Sequence, residues 1–111
     1  MEVSTEQFRR CDLVTVKGRI DINTVKELSA ALANLKEAGR YNIAINMKDV
    51  TFISSAGLSE LIDTQKACKH LKRGRLVLVE ISTRVREVLE LAGLTSLFEI
   101  YETDKEAIGS F

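Results

Sequence analysis

Cysteine and histidine are scarce in this chain of 111 residues. The two cysteines, Cys11 and Cys68, form no Cys-x-x-Cys motif, so the sequence favours neither a disulfide scaffold nor a zinc site but two free thiols in a reducing cytoplasm. The single histidine, His70, is the usual type of base for a serine nucleophile. It lies a full helix beyond Ser55, about 22 Å away at 1.5 Å per residue, which excludes a serine hydrolase.

An excess of charge and a long apolar run are also missing. The 16 basic and 16 acidic residues cancel, whereas a protein whose main task is to bind DNA or an anionic membrane is usually basic. No apolar stretch approaches the roughly 20 residues that span a bilayer. We therefore expect a cytoplasmic protein with no direct nucleic-acid contact and no membrane span.

What is present is a regular alternation of strand and helix patterns, with 45% apolar residues to fill a core. Strands are predicted over residues 3–8, 13–17, 43–47, 76–79 and 97–101, and a helix is predicted after each of the last four. The order β-β-α-β-α-β-α-β-α predicts one α/β domain over residues 1–111. We expect a mixed sheet of four to five strands, an N-terminal hairpin and about four helices.

Local signals set the predicted boundaries of these helices. The segment from Thr24 to Glu27 has the spacing of a capping box, which predicts the first helix start, and Gly39 predicts its end. The segment 18–21 is expected to end the second strand. The second helix is expected to end at Gly74, with this apolar stripe: Leu58, Leu61, Ile62, Cys68 and Leu71.

The most informative segment runs from Asp49 to Leu58, where an apolar strand leads into two serines, a small residue and a glycine before a helix. Ser54 and Ser55 would lie at the helix N-terminus, where backbone N–H groups lack partners and the dipole is positive. Such a hydroxyl can cap the helix, and the same place can receive a phosphate. Neither a Walker A motif nor a three-glycine Rossmann motif is present, so we expect no cofactor.

A phosphoserine at this turn would add about −1.5 to −2 charges, which the helix N-terminus tolerates and a covering partner surface does not. Asp21 ends the second strand at the same kind of strand-to-helix edge, where it is either a partner contact or an acid that complements the helix dipole. Gly57 would let a partner backbone approach. The predicted partner-binding residues are Asp21, Ser54, Ser55, Ala56 and Gly57.

A run of basic residues follows farther along the second helix. It is either an anion site or a solvated surface near a negative helix end. The run consists of Lys66, Lys69, Lys72, Arg73 and Arg75.

The chain resembles the STAS domain and, within it, the bacterial anti-sigma factor antagonists. The resemblance is sharpest from Asn46 to Leu58, and it extends to the Gly-x-x-Asp pattern at 18–21 and to the final segments 89–94 and 98–101. This chain departs from the family pattern at Ser54, Ala56, Asn46 and Ser59, which replace an acid, a hydroxyl residue, an acid and a glycine.

The resemblance implies a partner-switching protein rather than an enzyme, with no metal or cofactor of its own. The unphosphorylated antagonist would bind an anti-sigma factor, a serine kinase of the histidine-kinase-like ATPase fold, and so free a sigma factor for transcription. The kinase would then phosphorylate Ser55, with Ser54 as the alternative acceptor, and a serine phosphatase would reverse the reaction. Asp21 would contact the partner.

Two other functions fit the same resemblance. One is a constitutive adaptor subunit in another partner-switching or lipid-transport assembly. The other is a STAS module that binds a small ligand or nucleotide.

Overall fold

The computed structural model describes residues 1–111, in which strands and helices alternate after an initial pair of strands. No helix has the length and apolar character needed to cross a membrane. In chain order the elements are β1 (Glu2–Gln7), β2 (Asp12–Ile20), α1 (Val25–Glu37), β3 (Ile43–Ile53), α2 (Ser55–Lys69), β4 (Leu76–Val79), α3 (Thr83–Leu91), β5 (Glu99–Tyr101) and α4 (Asp104–Gly109), with single 3-10 turns at His70–Lys72 and Thr95–Leu97.

The five strands form one sheet in the order β1-β2-β3-β4-β5. β1 and β2 pair antiparallel as a hairpin, and the remaining neighbours pair parallel through helical connections. The predicted mixed sheet, the N-terminal hairpin and the four helices are therefore confirmed. Because β2 to β5 are parallel, the loops that follow them all leave the same edge, which we call the carboxyl edge.

Helices cover the two faces of the sheet unequally. The larger core cluster contains buried residues of α1, α2 and α3 together with one face of the strands, whereas the smaller cluster joins the other face to α4. All four residues of β4 are buried, as expected for a strand covered on both faces. The buried helix residues of the larger cluster are Leu28, Leu32, Leu35, Leu61, Cys68, Val85 and Leu89.

The predicted ends of β2 and β3 and the predicted start of β5 are wrong, and β3 continues from residue 47 to Ile53. β2 does not end at Lys17 but continues to Ile20, with shifts of register against β3 on either side of the pair Lys17 and Gly18. Gly18 has a φ of +101°, so the glycine bends the strand instead of ending it. β5 begins at Glu99, later than predicted, because a 3-10 turn occupies the preceding residues.

The end of α2 also differs from the prediction. The helix stops at Lys69, and Leu71 is 75% exposed with a φ of +55°, so it does not belong to the apolar stripe. Gln65 is buried instead: its Nε2 donates to the carbonyls of Leu76 and Leu97 at 3.0 and 2.8 Å, and its Oε1 accepts from the Leu76 N–H at 2.7 Å. This side chain fastens α2 to the start of β4.

Candidate functional site

The two serines at the β3–α2 junction occupy different structural positions. Ser54 is the N-cap residue, in extended conformation, and its Oγ accepts a hydrogen bond of 3.4 Å from the N–H of Gly57. Ser55 is the first residue of the helix and is exposed. Ser54 is therefore the capping residue. The hydroxyl of Ser55 lies at the positive end of the helix, where an added negative charge is stabilised.

The end of β2 lies directly beside this turn. Ile20 pairs with Ile53 in the parallel register, and the N–H of Ser54 donates to the carbonyl of Ile20 at 2.8 Å. Asp21, the next residue after Ile20, is therefore at the same edge as the serine turn. The sequence indicates only that Asp21 and the serine turn each follow a strand and precede a helix. In the structure these two segments are neighbours.

The loop after β2 is fixed by hydrogen bonds around Asp21. Its Oδ1 accepts from the N–H groups of Asn23 and Thr24, both at 3.0 Å, and its own N–H donates to Thr24 Oγ1 at 2.8 Å. The hydrogen bond from the Thr24 N–H, helped by that from Asn23 and by the charge of Arg19, holds the pKa of Asp21 below its usual range. Asp21 is ionised at neutral pH and presents a fixed negative charge.

The predicted capping box at the start of α1 does not form. Thr24 has helical dihedral angles and no capping hydrogen bond to its side chain, and the N–H of Glu27 bonds to the Thr24 carbonyl. The Thr24 hydroxyl instead donates to the carbonyl of Arg19 at 2.7 Å. Asp21 fixes the start of α1 instead. Its carboxylate accepts hydrogen bonds from the N–H groups of Asn23 and Thr24, which a capping threonine would leave unpaired.

Gly57 is buried and faces the protein interior rather than a partner. A Cβ at this position would lie 2.7 Å from both Ile20 Cγ2 and Ile53 Cγ1. The proposed reason for this glycine, access for a partner backbone, is therefore wrong: the ends of β2 and β3 leave no room for a side chain. Ala56, beside it, is half-buried.

Sequence reasoning missed the most exposed apolar residue of this edge. Ile22 is 68% exposed in the rigid loop next to Asp21. Nearby, the guanidinium of Arg19 stacks 4.3 Å above the ring of Phe52 and lies 3.9 Å from the Asp21 carboxylate. A single apolar residue between Asp21 and Asn23 was the available signal, since an isoleucine in a polar turn has no obvious core to enter.

Asn46, where the family pattern has an acid, has a structural role. Its Nδ2 donates to Glu80 Oε2 at 2.8 Å and to Asp104 Oδ1 at 2.7 Å, and its Oδ1 accepts from the Lys48 N–H at 2.9 Å. An amide satisfies both carboxylates, whereas an acid would place a third negative charge among them. Asn46, on β3, thus links this strand to the end of β4 and to the start of α4.

The remaining sequence candidates lie away from the serine turn. His70 is exposed beyond the far end of α2. Arg75 Nε donates to Glu99 Oε2 at 2.6 Å, and this hydrogen bond lowers the pKa of the Glu99 carboxyl. The largest cleft, about 470 Å³, lies beside β4 and β5 and shares no residue with the serine turn. Groups of three metal-ligating side chains do not occur.

Comparison with known proteins places this geometry in a family. Residues 2–107 match the family model described as STAS domain. An anti-sigma-B factor antagonist from Staphylococcus epidermidis is 27% identical over 104 residues, which cover 92% of this chain and 95% of that protein.

Solved structures share the fold. An anti-sigma factor antagonist from Mycobacterium paratuberculosis superposes with a TM-score of 0.86 at 26% identity, over 98% of this chain and 92% of that one. The anti-sigma factor antagonist SpoIIAA in its unphosphorylated form superposes with a TM-score of 0.84 at 22% identity, over 98% of this chain and 95% of that one. With the family model matching nearly its whole length, the chain belongs to the STAS domain family.

Proposed function

We propose that this protein is an anti-sigma factor antagonist: a protein-binding module, not an enzyme, whose contact with an anti-sigma factor serine kinase is switched by phosphorylation of Ser55. The proposal rests on the different roles of two neighbouring serines at the β3–α2 junction. Ser54 caps the helix, and Ser55 is exposed at its first position. One hydroxyl is therefore free for modification while the other keeps the helix start in place.

The names of relatives support the regulatory part of this proposal. The similar Staphylococcus epidermidis protein is an anti-sigma-B factor antagonist, and it matches this chain over 95% of its own length. SpoIIAA of Bacillus has a structure in a phosphorylated form, which shares this fold with a TM-score of 0.78. A domain of this architecture thus keeps its fold when it is phosphorylated.

The physical reason for switching lies in the different surroundings of a phosphate before and after docking. In the free protein, about −1.5 to −2 added charges at Ser55 face solvent and the positive end of α2. In a complex, a partner surface would cover the same phosphate beside the negative charge of Asp21. Desolvation and like-charge repulsion then oppose binding without opposing folding.

The proposed docking surface combines these charges with an apolar contact. It consists of the exposed Ser55, the fixed carboxylate of Asp21 and the exposed side chain of Ile22. Ser54 and Ala56 complete the turn, whereas Gly57 is buried beneath it. Binding through this surface would sequester the kinase and release a sigma factor in the cytoplasm, and a serine phosphatase would restore the unmodified form.

Incubation with the cognate kinase and ATP, followed by mass spectrometry of the modified chain, tests this function. We expect phosphate on Ser55, its loss in Ser55→Ala and its retention in Ser54→Ala. Thr83 provides an internal control, because it is the exposed first residue of α3 and follows the capping Ser82, yet it lies at another junction.

Two results would contradict the proposal. Phosphate on residues outside the serine turn would refute the assignment of the site. Equal partner affinity of the modified and unmodified chains would refute the switch and favour a constitutive adaptor.

A further inference from the structure

The edge of the sheet opposite the serine turn carries concentrated positive charge. α2 contains 15 residues, so its far end lies about 21 Å from Ser55 at 1.5 Å per residue. Five basic side chains near that end are exposed, and none forms an ion pair within the chain. We call this surface the basic edge: Arg10, Lys66, Lys69, Lys72 and Arg73.

Two carboxylates at this end are paired with arginines outside the basic edge. Asp12 Oδ2 accepts from Arg40 Nε at 2.8 Å, and Glu99 Oε2 accepts from Arg75 Nε at 2.6 Å. These pairs neutralise themselves and leave the basic edge without an ion pair of its own. In a chain with 16 basic and 16 acidic residues, such an imbalance gives one surface a positive potential without making the whole protein basic.

Arg73 is held in position for binding. Its Nη1 donates to Tyr41 Oη at 3.0 Å, and its guanidinium stacks 4.8 Å from the centre of the Tyr41 ring. A small cleft of about 110 Å³ adjoins it and is also lined by Arg10 and Arg40. A guanidinium with fixed orientation loses little freedom on pairing with a carboxylate, which it binds through two parallel hydrogen bonds.

An exposed leucine lies within the basic edge. Leu71 is 75% exposed, and both it and Lys72 have left-handed backbone, with φ of +55° and +56°. Residues other than glycine rarely adopt this conformation, and strained backbone concentrates at sites of function. The turn places an apolar side chain in solvent between cations, a composition typical of protein contacts.

We propose that the basic edge is a second docking surface, which binds an acidic segment of a partner protein whose carboxylates flank an apolar side chain. The carboxylates would meet Arg73 and Arg10, and the apolar side chain would cover Leu71. A nucleic-acid backbone would leave that leucine unmatched, and one apolar side chain is too small an anchor for a lipid surface. Because α2 separates the two surfaces, both can be occupied at once.

The test is a titration of the isotopically labelled full chain with a soluble peptide that alternates glutamate and leucine, followed by NMR of the backbone amides. We expect shifts at Tyr41 and residues 69–73 but not at the serine turn. Arg73→Glu should weaken binding at least fivefold, whereas the matched control Arg84→Glu, an exposed base at the start of α3, should not.

The variant Leu71→Asn tests the apolar contact without disturbing the fold. Asparagine tolerates left-handed backbone, so this variant should fold at least as well as the parent and still lose at least threefold in affinity. Tighter binding of a DNA duplex or of phosphatidylserine vesicles than of the peptide would overturn the proposal. Equal effects of Arg73→Glu and Arg84→Glu would overturn it as well.

Discussion

The two strand-to-helix junctions at the carboxyl edge have the same topology and are built differently. Between β2 and α1 the chain uses four residues, and the Asp21 carboxylate binds two of their N–H groups. Between β3 and α2 it uses Ser54 alone. The longer junction is a rigid platform with a fixed charge and an exposed isoleucine, whereas the shorter one leaves a modifiable hydroxyl exposed. The proposed recognition and the proposed switch therefore rest on separate residues.

The largest expected effect comes from giving the short junction a permanent charge. Ser55→Asp should weaken binding to the anti-sigma kinase about a hundredfold, or about 2.7 kcal/mol, and move the thermal midpoint by only a few degrees. Calorimetric titration and thermal unfolding measure the two quantities. Thr83→Asp is the matched control, because it adds the same charge at the first position of α3. Equal loss of binding in both variants would contradict a local switch.

Gly57→Ala tests whether the two junctions are packed against each other. The new methyl group would lie 2.7 Å from Ile20 and Ile53, so we expect a loss of about 1–3 kcal/mol in the free energy of unfolding. Urea denaturation measures it. Gly109→Ala is the control, since nothing lies within 4 Å of a Cβ there, and it should stay within about 0.5 kcal/mol. Equal stabilities would mean that the isoleucines move aside freely.

The platform is tested through its exposed apolar residue. Ile22→Ser should reduce affinity for the kinase about tenfold, or about 1.4 kcal/mol, without loss of stability, because the side chain is already in solvent. Leu91→Ser is the control, as this residue is 89% exposed at the end of α3. If both variants bind like the parent protein, Ile22 lies outside the interface.

The two serines should differ modestly in stability. Ser54→Ala removes the capping acceptor and should cost about 0.5–1 kcal/mol, toward the lower end because its hydrogen bond is 3.4 Å long. Ser55→Ala removes an exposed hydroxyl and should cost less than about 0.5 kcal/mol. Urea denaturation of both variants decides the order. A larger loss in Ser55→Ala would show that Ser55 has the structural role instead.

The smallest effect is a pH dependence at Asp21. Its pKa is lowered in the folded protein, chiefly by the Thr24 N–H, so its contribution to stability is present above the unfolded value of about 3.9 and is lost as the pH falls through the lower folded value. The stability difference between the parent and Asp21→Asn should be constant above pH ~5 and narrow below pH ~4. Urea denaturation across this range measures it, and a difference that widens on acidification would contradict the assignment.

Much of the architecture was predictable because its signals are local. Apolar periodicity in α1 and the continuous apolar run of β4 each indicate an element without reference to the rest of the chain. The cap signal at the start of α2 succeeded, because Ser54 bonds within its own turn and accepts from the Gly57 N–H at 3.4 Å. The signal at Thr24 failed, because its hydroxyl donates to the Arg19 carbonyl and Asp21 accepts from the N–H groups of Asn23 and Thr24 instead.

The remaining errors concern the end of α2 and its attachment to β4. Leu71 has the helical spacing of a core residue, but α2 ends before it, and the N–H of Gly74 bonds back to the Cys68 carbonyl at 2.8 Å. Gln65 reads as a surface residue, yet it bonds to Leu76 and Leu97, which are remote in sequence. The bond to Leu97 spans 32 residues, so no local window of sequence contains both of its partners.

The sequence by itself determined the order of strands and helices and the presence of two hydroxyls at a helix start, since both depend on neighbours along the chain. Only the tertiary structure decided that Ser54 caps, that Ser55 remains exposed and that Asp21 and Ile22 lie beside them. Parallel pairing of β2 with β3 sets the adjacency, because it aligns Ile20 with Ile53 at one edge. The same packing fills the space at Gly57, where side chains from both strands converge.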